Sequence, residues 1–298
     1  MGRLQGCALR VTGIIRLTGP ESWSEAEGAM GELAPGLAQN LWVTAAVLLA
    51  CVLMLWLLSI RLRDISIIDI FWGPAFGIVA LVGYALADGH GVELRNTLAT
   101  VLTVLWAARL GGYLYWRNVG KGEDPRYTAA FRNRYPTNLH WHTLTKVFLL
   151  QGFLVWLISI PVQLAQHLVT PRVLGPAAIV GVGLWVIGFL FEAVADWQLA
   201  RFKGNPANRG RVLDDGLWHF SRHPNYFGNA CLWWGLWLIA CDHPLGIATV
   251  FSPILMTHFL LNVTGKKLLE KRMSRARPEY ADYVARTPGF FPWFPRRS

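Results

Sequence analysis

Three observations predict an all-α membrane protein, a bundle of seven transmembrane helices with the N-terminus outside and the C-terminus cytosolic. Apolar residues fill 53% of the 298 positions and charged residues 15%, against about 25% charged in an ordinary soluble domain. Seven low-charge stretches approach the ~20 residues that a spanning helix needs. When successive loops are assigned to alternate sides, 22 of the 28 Lys and Arg residues fall on one of them. The positive-inside rule makes that side the cytosol.

The spans are expected near 41–60, 66–87, 97–116, 146–165, 176–197, 226–241 and 244–264. Arg61 and Arg63 close the first. Asp69 lies early in the second and Arg109 late in the third, so antiparallel packing brings both toward the cytosolic side. The cytosolic loop 117–145 follows, too short for a second soluble domain. Glu192 and Asp196 mark the end of the fifth span. Pro224, suited to a first helical position because it lacks an N–H, opens the sixth. Only Cys241, Asp242 and His243 separate the sixth span from the seventh, and the tail ends in RTPGFFPWFP, a proline-broken apolar cap for the interface.

Residues 1–36 mix Gly, Glu and Arg with one short apolar stretch, Val11–Leu17, too short for a signal-peptide core with a cleavage site. They read as a loosely ordered extension ahead of one transmembrane domain, 37–298. The net charge of +10 is accounted for by topology and anionic headgroups, so no nucleic-acid partner is required. Cys7, Cys51, Cys231 and Cys241 form no CxxC and no zinc spacing, and no metal is expected.

Charges inside spans cost roughly 2.5 to 3.5 kcal/mol each on insertion scales, so Asp69, Arg109, Glu192 and Asp196 call for a reason. Asp69 and Arg109 can form a structural ion pair or serve catalysis. Glu192 and Asp196 are one turn apart, and Lys203 follows near the same face, a polar stripe leaving the membrane. Beyond it, Lys203, Arg209, Arg211 and Arg222 gather cations, and Pro224 leaves the free N–H groups of a helix start beside Arg222 and His223. Carboxylates for hydroxyls, cations for phosphates and a helix N-terminus suit a nucleotide cofactor. Asn225 and Asn229 add amide donors on the face of Arg222, with Tyr226 beside them. His223 is a capping or phosphate-contact residue, or a general acid.

The runs FWGPAF, RNVGKGEDPRY, LQGFLVWLISIPVQ, FEAVADWQLARFKGNPANRG, GLWHFSRHPNYFG, SPILMT and GKKLLEKRM resemble bacterial membrane proteins of the domain-of-unknown-function 1295 group, within the steroid 5-alpha-reductase-like superfamily. The resemblance covers about residues 60–298. It implies a seven-helix bundle in the bacterial inner membrane, with NADPH bound from the cytosol and a steroid-like or isoprenoid lipid entering from the bilayer. It places Asp196, Lys203, Arg211 and Asn225 at cofactor-contacting positions, with Glu192 and Lys266 alongside. Arg222, His223, Tyr226 and Asn229 join them from the residue chemistry. Steroid reductases polarise the substrate carbonyl with a second-helix Glu and a third-helix Tyr. Here Asp69 stands near the Glu position, Trp106 where the Tyr would be, and Tyr113 two turns away as its substitute.

The implied activity is reduction of a C=C bond conjugated to a carbonyl, with Asp69, Tyr113 and Arg109 as catalytic candidates. The same superfamily includes S-adenosylmethionine-dependent methyltransferases of the isoprenylcysteine and phospholipid type. The cation cluster favours the phosphates of NADPH over that cationic cofactor. A non-catalytic lipid-binding protein is the third reading.

Overall fold

The computed structural model describes residues 20–87, 91–263, 266, 269, 270, 273, 274, 277 and 279–295, with side chains from residue 36 onward. The part of the expected extension before Pro20, Val11–Leu17 and Cys7 included, lies outside the described residues. So does most of GKKLLEKRM.

The described chain is helical. Its elements are α1 (Pro20–Leu62), α2 (Ile67–Leu86), α3 (Glu93–Asn118), α4 (Leu139–Ile158), α5 (Ile160–His167), α6 (Pro176–Gly204), α7 (Pro224–Ala240), α8 (Pro244–Val263) and α9 (Tyr280–Arg286). Six helices are long and apolar enough to cross a membrane: α1 from Gly36, α2, α3, α4, α6 and α8. They mark an integral membrane protein. α1 is already helical from Pro20.

The expected sixth span forms α7, whose 17 residues extend about 25 Å, short of the ~30 Å hydrocarbon core. Its residues Leu232, Trp233, Leu236 and Ile239 are all buried. It runs antiparallel along α6. At its far end Asp242 accepts from the Gly175 and Ala178 N–H groups at 2.7 and 3.0 Å, capping the start of α6, and lies 3.9 Å from the buried Arg95 of α3. Ladder bonds satisfy the backbone inside each helix, so the bundle is decided by side-chain packing. Phe76, Trp106 and Trp233 meet at the centre with ring centroids 4.7 to 5.5 Å apart, joining α2, α3 and α7.

Glycines set the α6–α7 distance. A Cβ at Gly188 would stand 2.4 Å from the Gly228 carbonyl oxygen, and one at Gly228 2.5 Å from the Gly188 carbonyl oxygen. Gly181 and Gly235 repeat the arrangement at 2.6 and 2.5 Å. Seven residues separate the two glycines on each helix, two turns, so both pairs share one face. Only a hydrogen at each Cα admits this approach, as in small-residue helix interfaces of membranes.

Candidate functional site

Past Gly188 and Gly228 the close approach continues into polar residues. Glu192 and Asp196 on α6 face Asn225 and Asn229 on α7, and Arg109 of α3 closes the third side. Arg109 forms an ion pair with Glu192 at 3.1 Å, donates to the Glu192 carbonyl at 2.9 Å and bonds the Asp196 carboxylate. The Trp106 indole N–H donates to Glu192 at 2.9 Å, the Asn229 amide at 3.1 Å. The Asn225 amide donates to Asp196 at 3.0 Å. Both carboxylates are nearly inaccessible, with side chains 5% and 7% exposed. Burial of two acids is tolerable here because a guanidinium and three N–H donors surround them.

The expected Asp69–Arg109 pair is not formed. Arg109 is drawn to Glu192 and Asp196, two carboxylates against one. Asp69 instead accepts from Arg126 at 3.0 Å and from the Tyr127 hydroxyl at 2.6 Å. Those partners come from the loop after α3. There Asp124 caps the turn Pro125–Tyr127 by accepting from the Arg126 N–H at 2.8 Å. Glu123 accepts from the Ile65 N–H at 2.9 Å, the Thr128 hydroxyl at 2.8 Å and Arg132 at 2.6 Å. Burial alone would raise the Glu123 pKa. These three donors outweigh it and hold the carboxyl below its ordinary value. Burial, and then the Asp69 charge, pushes the Tyr127 phenol up. The GKGEDPRY run is thus the clasp that fastens this loop to the start of α2.

Tyr113 lies between two guanidinium groups, with Arg109 and Arg117 5.7 and 5.5 Å from its ring centre. Arg117, Lys121 and Arg277 all lie near enough to Lys203 to repel it, and Asp196 near enough to attract it. This is a cationic rim beside the carboxylate network. Arg211 is exposed, and its carbonyl accepts from Arg277.

A second cluster stands at the start of α7. Arg222 and His223 both reach Glu270, at 3.4 and 3.1 Å. Burial depresses the His223 pKa despite that carboxylate. His223 stacks on Tyr226 with centroids 5.3 Å apart. Lys266 and Arg222 converge on Gly289, where a Cβ would stand 2.3 Å from the Lys266 ammonium and 2.8 Å from an Arg222 nitrogen. Although Arg222 has only 10% of its side chain exposed, its Nε has no hydrogen-bond partner and its Nη1 has only the ion pair with Glu270. The tail strap holds the cluster: Arg222 N–H donates to Pro288 and Trp293 N–H to Phe220, both at 2.9 Å.

The fold thus gathers Arg109, Glu192, Asp196, Asn225 and Asn229, with Tyr113 against Arg109. It sets Arg222, His223, Tyr226 and Lys266 at the adjoining helix start and keeps Asp69 in the loop clasp. Four features were missed in the sequence: Trp106 as a carboxylate donor, Glu270, the Arg126–Tyr127 clasp and the α6–α7 glycines. The glycines had a signal, the equal spacing of Gly181 to Gly188 and Gly228 to Gly235. Glu270 had none, since its basic surroundings look like any cytosolic tail. Among the described residues no group of His, Cys, Asp and Glu is arranged to hold a metal.

A family model described as "Protein of unknown function (DUF1295)" matches residues 55–287. The chain belongs to this family. It is also similar to an uncharacterised protein of the fission yeast Schizosaccharomyces pombe, 25% identical over 267 residues that cover 80% of this chain and 76% of the relative. That relative is fungal, so the family gives no ground for the expected bacterial source. No solved structure matches the chain. The site's four central polar positions, Glu192, Asp196, Asn225 and Asn229, all fall within the matched DUF1295 region.

Proposed function

We propose that this DUF1295 protein is an NADPH-dependent membrane reductase acting on a C=C bond conjugated to a carbonyl in a hydrophobic, steroid-like or isoprenoid lipid. The observation that carries the reading is the pairing of a buried carboxylate–amide network with a cluster of cations whose hydrogen-bonding capacity is only partly used. Arg222 Nε has no partner, its Nη1 has only the 3.4 Å ion pair with Glu270, and Lys266 stands beside it. Such donors suit phosphate oxygens. The Asn229 side-chain oxygen, buried and without a partner, suits an amide N–H. The chemistry of this donor set therefore fits NADPH. Asp196, Asn225 and Asn229 would hold its polar groups, and Lys203, Arg211, Arg222 and Lys266 its phosphates.

NADPH, when bound, supplies the hydride. Reduction of an enone develops negative charge on the carbonyl oxygen, which a positioned donor must stabilise. Tyr113 suits that role, since its hydroxyl is carried on a ring held between Arg109 and Arg117. Asp69 suits it less, because its two oxygens already accept from Arg126 and Tyr127. Its part is to position the Tyr127 loop.

Thermal stabilisation of purified protein tests the cofactor. NADPH is expected to raise the melting temperature more than NADH, by the extra phosphate contact, typically about 1.5 to 3 kcal/mol for a charge-assisted bond. Equal shifts from the two nucleotides, or a shift with S-adenosylmethionine alone, would overturn the reading. With enone lipids the product should gain two hydrogens, and Tyr113→Phe should abolish that gain while leaving the NADPH-induced shift intact.

A further inference from the structure

A site of a different kind runs along the seam between α1 and α4, away from the α3–α6–α7 network. One cavity of about 450 Å³ is lined wholly by apolar and aromatic residues, among them Leu41, Leu49 and Val52 of α1 and Gly152 and Phe153 of α4. Trp156 fixes its wall by donating from its indole N–H to the Leu41 carbonyl at 3.0 Å. A second cavity of about 400 Å³ lies on the same helix pair, lined by Ser59, Arg63, Arg132, His140 and Thr143 among others, and no acidic residue faces it. Leu49, Val52, Trp56 and Ser59 alternate by three and four positions, so one stripe of α1 runs from the apolar cavity to the polar one, and Arg63 follows just past the helix end. At 1.5 Å per residue, Val52 lies about 15 Å along the axis from the helix end at Leu62, which Arg63 follows. That is about half the ~30 Å hydrocarbon core, the depth of one leaflet.

We propose that this seam holds one anionic glycerophospholipid, its headgroup against Arg63 and His140 and one acyl chain reaching the apolar cavity at Val52 and Leu49. Charge complementarity selects the headgroup. Arg132 is already committed to Glu123 and to the Arg63 carbonyl at 2.7 Å, so it shapes the polar cavity, while the exposed Arg63 side chain is free to meet a phosphate. Trp56 stands between the cavities, on the same stripe of α1. The site does not depend on the reductase reading.

Native mass spectrometry of the full chain, delipidated and then titrated with phosphatidylglycerol or phosphatidylcholine, tests the proposal. One phosphatidylglycerol per chain is expected to be retained in preference to phosphatidylcholine. Arg63→Gln should weaken its retention about fivefold, the effect of one basic charge near an anionic headgroup, and Arg63→Lys should preserve it. Leu49→Trp, which fills the apolar cavity, should weaken both lipids alike. Equal retention of the two lipids by the unaltered chain, or phosphatidylglycerol retention unmoved by Arg63→Gln, would overturn the site. Should Arg63→Gln fail to fold, unchanged retention in Leu49→Trp would overturn it as well.

Discussion

Arg109 is the residue on which the candidate site turns. Its guanidinium is the counter-ion of two buried carboxylates, Glu192 and Asp196, and it also bonds the backbone of α6. Removing one member of such a buried set leaves charge without compensation, at a cost of about 3 to 5 kcal/mol. Arg109→Ala is therefore expected to lower the free energy of unfolding by that amount. Glu192→Gln in the same chain should recover part of the loss, because it removes one of the stranded charges. A double-mutant cycle on thermal or denaturant unfolding measures the coupling; simple additivity would show that the pair is not energetically linked. Asp196 differs from Glu192 in one respect. It stands nearest the cationic rim, where Lys203 is attracted to it, so Asp196→Ala should weaken NADPH binding, as measured by titration calorimetry.

At the scale of the helices, the α6–α7 contact positions the site. Gly188 and Gly228 let the two backbones approach so that the next turn of α6 presents Glu192 and Asp196 to Asn229 and Asn225. Gly188→Leu would drive side-chain atoms into the Gly228 carbonyl and the Leu232 N–H, both backbone and unable to swing aside. The expected outcome is a lower melting temperature together with lost NADPH binding, while Gly183→Leu, at a position where a Cβ meets nothing, should alter neither.

The loop clasp behaves as a second such element. Glu123 holds Ile65, Thr128 and Arg132, and its pKa lies below the ordinary value. A depressed carboxyl contributes stability that is present above its unfolded pKa, about 4.3, and is lost as pH falls through the folded one. Glu123→Gln is therefore expected to destabilise the protein at pH 7 by about 1 to 3 kcal/mol and to narrow its gap from the unaltered chain as the pH is lowered past about 4. A gap that widens in acid would contradict the assignment. Melting curves from pH 3 to 8 supply the check.

For the whole molecule, the two ends of the bundle are chemically unlike. One end carries Arg95, Asp242 and the cap on α6; the other carries Arg109, the carboxylates, the cationic rim and the tail strap. By the positive-inside rule we expect the second end to face the cytosol, where a nucleotide is available. A reporter active only in the cytosol is expected to work when fused to the C-terminus and to be silent when fused to the N-terminus. The reverse pattern would place the site on the wrong side for a cytosolic nucleotide.

Sequence by itself determined the helical membrane class and the approximate places of the helices, because apolar length and charge placement are local properties of the chain. Glu192, Asp196, Asn225 and Asn229 were legible for the same reason: polar groups at helical spacing beside apolar runs stand out. Partner choice was not legible. Asp69 and Arg109 lie at matching depths in neighbouring helices, yet each bonds elsewhere, since pairing depends on rotation about the helix axes and on what a loop fifty residues away brings in. The 17-residue α7 reads as a membrane span from its apolar content, and only packing showed that it also carries core residues, Leu232, Trp233, Leu236 and Ile239. Tertiary structure decided these points because close packing selects among contacts that composition and periodicity leave equally open.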